Sequence, residues 1–219
     1  MNDLKWEPFI GKNFEIGISQ KKILIVGESH FHNGSEKSIK KINKINFTKI
    51  VIKEMAIKKE YWSTKFFQNL HRTLVGSDNF KGENLWDYLA FYNFIQRPME
   101  TNKERPRSKD FLIGWNSFFY VIKEIKPDIC IFIGTSPSHY FSEFKKERVD
   151  FKTIKFKRLD KIGNSYPRYA KILRENNEIE FYFIKHTSSY YSWKKWRAFL
   201  EKKIPDQIAE FSMIDESKL

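Results

Sequence analysis

The sequence predicts an α/β fold in three layers, with helices on both sides of a central, mostly parallel sheet of about four strands. Three observations predict it. Short β-branched apolar runs recur along the chain and stop at glycine or at a polar residue, as strands buried on both faces do. Segments with apolar residues at helical spacing separate those runs. The alternation of strand and helix then favours parallel strands joined by helical crossovers.

The first predicted strand is residues 21–27, ending at Gly27. Residues 48–56 fit either a strand or a helix and are assigned to a helix. Trp62, Phe66, Leu70 and Leu74 recur at four-residue spacing, and Gly76 stops that helix. Residues 89–95 form a weaker strand bounded by Arg97-Pro98. Phe111, Trp115, Phe118, Phe119 and Ile122 mark the next helix, which Pro127 closes. Residues 127–134 give the third strand, and Ser136-Pro137 after it supply a cap and a first-turn proline. Residues 152–161 are basic and partly alternating, a short strand or loop. The fourth strand, residues 179–185, ends at His186. Ser192 caps a last helix whose apolar face is Trp193, Trp196, Phe199 and Leu200, ending near Pro205.

At roughly 150 residues per domain, the 219 residues read as a single domain over residues 1–219. No apolar run approaches the roughly 20 residues of a membrane helix, and the first residues lack a signal-peptide pattern, so the expected location is the cytoplasm. The single cysteine, Cys130, excludes an internal disulfide, a four-cysteine zinc site and a four-cysteine iron–sulfur cluster. Against 27 acidic residues stand 40 lysines and arginines, a net charge of +13 that favours a polyanionic partner through counterion release. DNA, duplex or single-stranded, is the expected partner, and the expected chain is a monomer that uses no metal, no cofactor and no membrane.

Ligands of parallel α/β sheets bind beyond the carboxyl ends of the strands. That rule gathers Gly27-Glu28-Ser29-His30-Phe31, Asn93, Gly134-Thr135-Ser136 and His186-Thr187-Ser188 into one crevice. In order and placement these segments resemble the motifs of the uracil-DNA glycosylase superfamily over roughly residues 21 to 203. Residues 27–31 sit where that superfamily carries its first motif, Asn93 where it has a pyrimidine-reading asparagine, and His186-Thr187-Ser188 where it has His-Pro-Ser. Ser29 stands where many members have a water-orienting aspartate. Glu28 matches instead the glutamate of the iron–sulfur branch, whose cluster cysteines are absent here. Thr187 replaces the motif proline, and Phe31 takes the place of a tyrosine that crowds the pyrimidine C5 position.

The resemblance implies a divergent, cluster-free DNA glycosylase that flips out uracil or a modified pyrimidine and hydrolyses its N-glycosidic bond, in repair or in defence against phage with modified DNA. Glu28 is then the carboxylate that stabilises the oxocarbenium-like sugar and orients water. His186 donates to the departing base. Ser29, His30, Phe31 and Asn93 form the base pocket, with the Asn93 amide offering both donor and acceptor. Ser188, Ser189, Tyr190, Tyr191, Lys194, Lys195 and Arg197 face DNA, one tyrosine filling the space the base leaves. Two competing readings remain. Gly27-Glu28-Ser29-His30-Phe31 partly imitates a nucleophile elbow, with Ser29 and His186 as a hydrolase pair; and the same fold can be a catalytically silent DNA-binding domain.

Overall fold

The computed structural model describes residues 4–60, 65–101, 103–147, 150–188 and 190–215. Trp62 and Ser189 lie outside the described residues. The strands are β1 (Phe9–Ile10), β2 (Ile23–Gly27), β3 (Leu89–Asn93), β4 (Ile129–Ile133), β5 (Lys152–Arg158), β6 (Arg168–Arg174) and β7 (Asn177–Ile184). The α-helices are α1 (Glu36–Ile42), α2 (Phe47–Val51), α3 (Phe66–Leu74), α4 (Gly82–Trp86), α5 (Ser108–Ile125), α6 (Ser136–Phe144), α7 (Trp193–Glu201) and α8 (Pro205–Met213). Helix α2 continues into a π-helical turn, Ile52–Ile57, so the ambiguous segment is helical.

All strands join one mixed sheet in the order β1-β3-β2-β4-β7-β6-β5. The inner set β3-β2-β4-β7 is parallel throughout. Strand β1 adds antiparallel to β3, and β6 and β5 continue antiparallel from β7. The expectation of about four strands therefore describes the parallel centre but undercounts the seven-stranded sheet. The undercount has a physical cause. Strands β2, β3 and β4 are buried along their whole length and read as apolar runs, whereas β5 is largely exposed and carries lysines that mimic a loop.

Side chains alternate between the two faces of the sheet. Ile23, Ile25, Phe91, Ile131 and Tyr182 pack with Leu70, Leu74, Trp86, Trp196 and Phe211 from α3, α4, α7 and α8. Leu24, Val26, Tyr92, Phe132 and Phe183 pack on the opposite face with Trp115, Phe118 and Phe141 from α5 and α6. Each fully buried aliphatic or aromatic side chain contributes roughly 1.5–3 kcal/mol, so both faces hold the sheet rigidly. Trp115 also donates its indole N–H to the Pro137 carbonyl at 2.9 Å, which ties α5 to the start of α6. The cap of α6 falls on Thr135, one residue before the predicted Ser136, with Pro137 in the first turn. Pro205 both follows the end of α7 and opens α8, a position where its missing N–H has no cost.

Candidate functional site

The parallel register aligns the carboxyl ends of β2, β3, β4 and β7 on one rim. Gly27 pairs with Asn93, and Ile133 pairs with Ile184. Gly27 is required there by close approach: a Cβ would stand 2.2 Å from Asn93 Oδ1 and 2.7 Å from Phe91 Cζ. Beyond the strands the two chains stay side by side. Phe94 N–H donates to the Gly27 carbonyl at 2.9 Å, Ile95 to Glu28 at 2.8 Å, and Met99 to His30 at 2.8 Å. These bonds fix the backbone that carries Glu28. Its carboxylate reaches toward the end of β4, where Oε2 lies 3.9 Å from the position a Gly134 Cβ would take. Gly134 itself has φ +144°, a conformation that suits glycine.

Three polar groups at this rim are left available by the fold. The Glu28 carboxylate makes no hydrogen bond among the described residues, and burial pushes its pKa above the ordinary value while the Arg105 charge lowers it. Asn93 is 4% exposed as a residue, and its side-chain amide makes no hydrogen bond among the described residues; its atoms are not among the fully buried unpaired ones, so they keep some contact with solvent. His186 is the third. Its Nδ1 accepts the Ser188 backbone N–H at 3.3 Å and lies 2.9 Å from Ser188 Oγ. An accepting Nδ1 puts the ring proton on Nε2, and burial, helped by Arg105, pushes the pKa down to about 4. The imidazole is therefore a neutral donor at physiological pH.

Helix α3 holds the loop that presents His186. Thr187 is fully buried; its hydroxyl donates to the Phe66 carbonyl at 3.0 Å, and its own carbonyl accepts from Asn69 Nδ2 at 2.7 Å. A proline at this position would lack the first of these bonds. The Phe66 ring stands 5.3 Å from the His186 ring and limits its rotation.

The other predicted residues divide. Ser29 is half-buried, its hydroxyl shares no hydrogen bond with His186, and Phe31 is 51% exposed beside it. His30 turns away from the rim: its ring is 6% exposed, sits edge-on to Trp6 and Phe47, and contacts Thr48 Oγ1 through Nε2 at 3.0 Å. It is a core residue, packed in that apolar pocket with Nε2 engaged by the hydroxyl. Ser188, Lys194 and Lys195 are exposed as expected. The two tyrosines differ. Tyr190 is 98% exposed at φ +51°, with its carbonyl held by Lys185 Nζ at 2.7 Å. Tyr191 stacks on Trp196 and hydrogen-bonds Thr73 at 3.0 Å, so it braces the loop. Arg197 is likewise structural, since it donates to the Leu74 carbonyl at 2.5 Å and pairs with Glu201 at 3.1 Å.

Sequence reasoning missed Arg105, whose charge acts on both Glu28 and His186. Its loop is anchored by Arg97, which binds Asp110 through two bonds of 2.8 Å and Glu104 through one of 2.7 Å. Glu104 also accepts the Glu100 N–H at 2.7 Å. The available signal was the pair of charges on either side of Pro106, between a strand end and a helix start.

Among the described residues, no group of three or more His, Cys, Asp or Glu is arranged to hold a metal ion, and no helix is long and apolar enough to cross a membrane. A cleft of about 280 Å³ lies at the opposite end of the parallel strands, lined by Lys22, Lys123, Lys126, Asp128 and Arg174 among others. It contains none of the rim groups. Compared with known proteins, the chain matches no protein-family model and no curated sequence.

Proposed function

We propose that this chain is a metal-independent DNA glycosylase of the uracil-DNA glycosylase type, a cytoplasmic monomer acting on an extruded pyrimidine nucleotide. One observation carries the reading: a half-buried carboxylate and the amide of a largely buried asparagine, neither hydrogen-bonded among the described residues, share a strand-end rim with a neutral imidazole whose Nε2–H has no partner there. Groups left in that state are matched to a ligand that supplies the missing partners. The parallel order β3-β2-β4-β7 supports it by bringing the three segments together in the sense that the family resemblance implies.

The chemistry follows from the groups. The bond between the sugar C1′ and the base nitrogen breaks with both electrons leaving on the base. Asn93 reads the pyrimidine edge with one donor and one acceptor. His186 Nε2–H donates to a ring carbonyl oxygen and stabilises the anion that develops there. Glu28 faces the sugar, stabilises its positive charge, orients the water whose oxygen adds to C1′ and accepts the proton that water loses, while the departing base anion takes up a proton from solvent. Such donors and bases are each worth about 10²–10⁴ in rate. Tyr190, exposed at the loop tip, is the residue to fill the vacated stack, while Ser188, Lys194 and Lys195 contact phosphate. The substrate is uracil or an enlarged pyrimidine, which Ser29 in place of an aspartate and the half-exposed Phe31 in place of a tyrosine would admit.

The competing hydrolase reading needs Ser29 activated by His186, but the imidazole Nδ1 is engaged by Ser188 instead. The test is a panel of oligonucleotides carrying uracil, hypoxanthine, 5-hydroxymethylcytosine or glucosylated cytosine, scored by alkaline cleavage at abasic sites. Base release that Glu28→Gln abolishes is the expected result. Binding without release from any substrate would overturn catalysis and leave a DNA-binding domain.

A further inference from the structure

Strands β5 and β6 form an antiparallel arm that the strand-end chemistry does not use. Residues 152–174 contain Lys152, Lys155, Lys157, Arg158, Lys161, Arg168, Lys171 and Arg174 against one acidic residue, Asp160. Lys171 pairs with Glu178, and Arg174 lies near Asp150 and Glu175. None of the other six cations has an ion-pair partner among the described residues.

The arm's direction places its charged tip at the functional rim. Strand β6 runs opposite to β7, so Arg168 pairs with Phe183, three residues before His186, and Arg158 pairs with Arg168. Adjacent strands are about 4.8 Å apart, which sets these two arginines one and two strands beyond β7. Past them the chain stays ordered: Leu159 N–H donates to the Pro167 carbonyl at 2.9 Å, and Ile162 and Ser165 close the tip through bonds of 2.8 and 3.1 Å. The Arg158 guanidinium lies 4.4 Å from the centre of the Tyr166 ring, and Lys161 Nζ is 5.7 Å from the same centre. Arg168 Nε is buried without a hydrogen-bond partner. Two like charges paired across neighbouring strands are mutually unfavourable unless an anion lies between them. His139, on the first turns of α6 after the β4 end, has its pKa lowered by burial and by the Arg168 charge, which places that arginine close to the β4 end.

We infer that the β5–β6 arm is a second polynucleotide-binding surface, in which Arg158, Lys161 and Arg168 grip phosphates and Tyr166 stacks a base of the strand leaving the site on the side away from α7. Nucleic acid is favoured over an acidic protein by the aromatic face set against a planar guanidinium and by the adjoining nucleobase-type rim. The inference builds on the proposed DNA partner but not on base excision.

The test measures fluorescence anisotropy of the full chain with labelled single-stranded and duplex DNA lacking any excisable base, across a salt series. Arg158→Ala combined with Lys161→Ala is compared with a charge-matched control, Lys123→Ala with Lys202→Ala, whose exposed side chains lie near the other end of the sheet. The arm variant should lose about tenfold in affinity and reduce the salt slope by about 1.4–1.8, the share of two phosphate contacts. Tyr166→Ala should weaken single-strand binding by about fivefold or more. Equal affinity and slope in the arm variant and the control would overturn the inference, as would wild-type chain that binds no DNA. Loss of binding to polyglutamate in place of DNA would assign the arm to an acidic protein and overturn it too. An intact arm effect with no base released from any substrate would remove the glycosylase reading and leave the arm standing.

Discussion

Two acidic residues at opposite ends of the same parallel sheet meet different fates. Asp128, before β4, accepts the Lys22 backbone N–H at 2.8 Å and lies 3.7 Å from Lys21 Nζ. Its carboxylate closes the junction between the β2 and β4 starts. Glu28, just past the end of β2, is half-buried and has no hydrogen bond among the described residues. The histidines repeat the contrast. His30 and His71 each have Nε2 engaged in the core, by Thr48 and Trp86, whereas the His186 Nε2 has no hydrogen-bond partner among the described residues. Polar groups at the amino end and in the core serve the fold. At the carboxyl end, the Glu28 carboxylate and the His186 Nε2–H have no such partners among the described residues.

The comparison can be broken most directly at the rim. Glu28→Gln and His186→Ala should each lower base release by about 10²–10⁴ while DNA affinity stays within about twofold, measured by single-turnover excision and anisotropy. Parallel losses in both would assign these residues to folding. The engaged histidines give the next largest effect. His30 and His71 have pKa values pushed down to about 3 by burial, against 6.5 when unfolded. Between those values the unfolded chain binds more protons, so stability falls as pH falls, by at most about 1.4 kcal/mol per pH unit for each histidine. Urea midpoints should therefore drop from pH 7 to pH 5; a flat profile would show that these rings protonate freely in the folded chain.

A smaller effect separates the two carboxylates. Asp128→Ala should cost about 1–3 kcal/mol of stability by stranding the Lys22 N–H, without altering base release. Glu28→Gln should instead raise stability at pH 7 by about 0.5–2 kcal/mol. The sign follows from linkage: a carboxyl whose folded pKa is raised supports the fold when protonated and opposes it once pH passes that pKa. Equal destabilisation by both variants would erase the distinction. The smallest shift belongs to Arg105→Ala. Its charge lowers the pKa of both Glu28 and His186, so its removal should move the acid limb of the excision rate to higher pH, and added salt should reduce the difference. An unmoved limb would place Arg105 outside the electrostatics of the site.

The legible parts of the fold were those with strong local signals. Residues 23–27, 89–93, 129–133 and the apolar half of β7 read as strands because burial on both faces demands continuous apolar runs. Strands β5 and β6 were obscured because one lies at the sheet edge with lysines pointing into solvent. Strand-end position placed Glu28, Asn93 and His186 on one rim, while the roles expected of them came from the family resemblance. His30 was misassigned because a histidine beside a strand-end glycine gives no local sign of which way its ring turns. The contacts with Trp6, Phe47 and Thr48 decided that. Tyr190 and Tyr191 are identical in type and adjacent, and only the left-handed backbone at Tyr190 and the stack on Trp196 separate an exposed tip from a brace.

By itself, the sequence determined where the buried strands stop, that helices separate them, and that the chain carries excess positive charge. These are properties of neighbouring residues and of composition. Tertiary structure alone decided the strand order, the placement of the basic arm beside the rim, and which polar groups found partners. Hydrogen-bond satisfaction and charge proximity depend on residues far apart in the chain, such as Asn69 with Thr187 or Arg105 with both Glu28 and His186, and no local pattern encodes them.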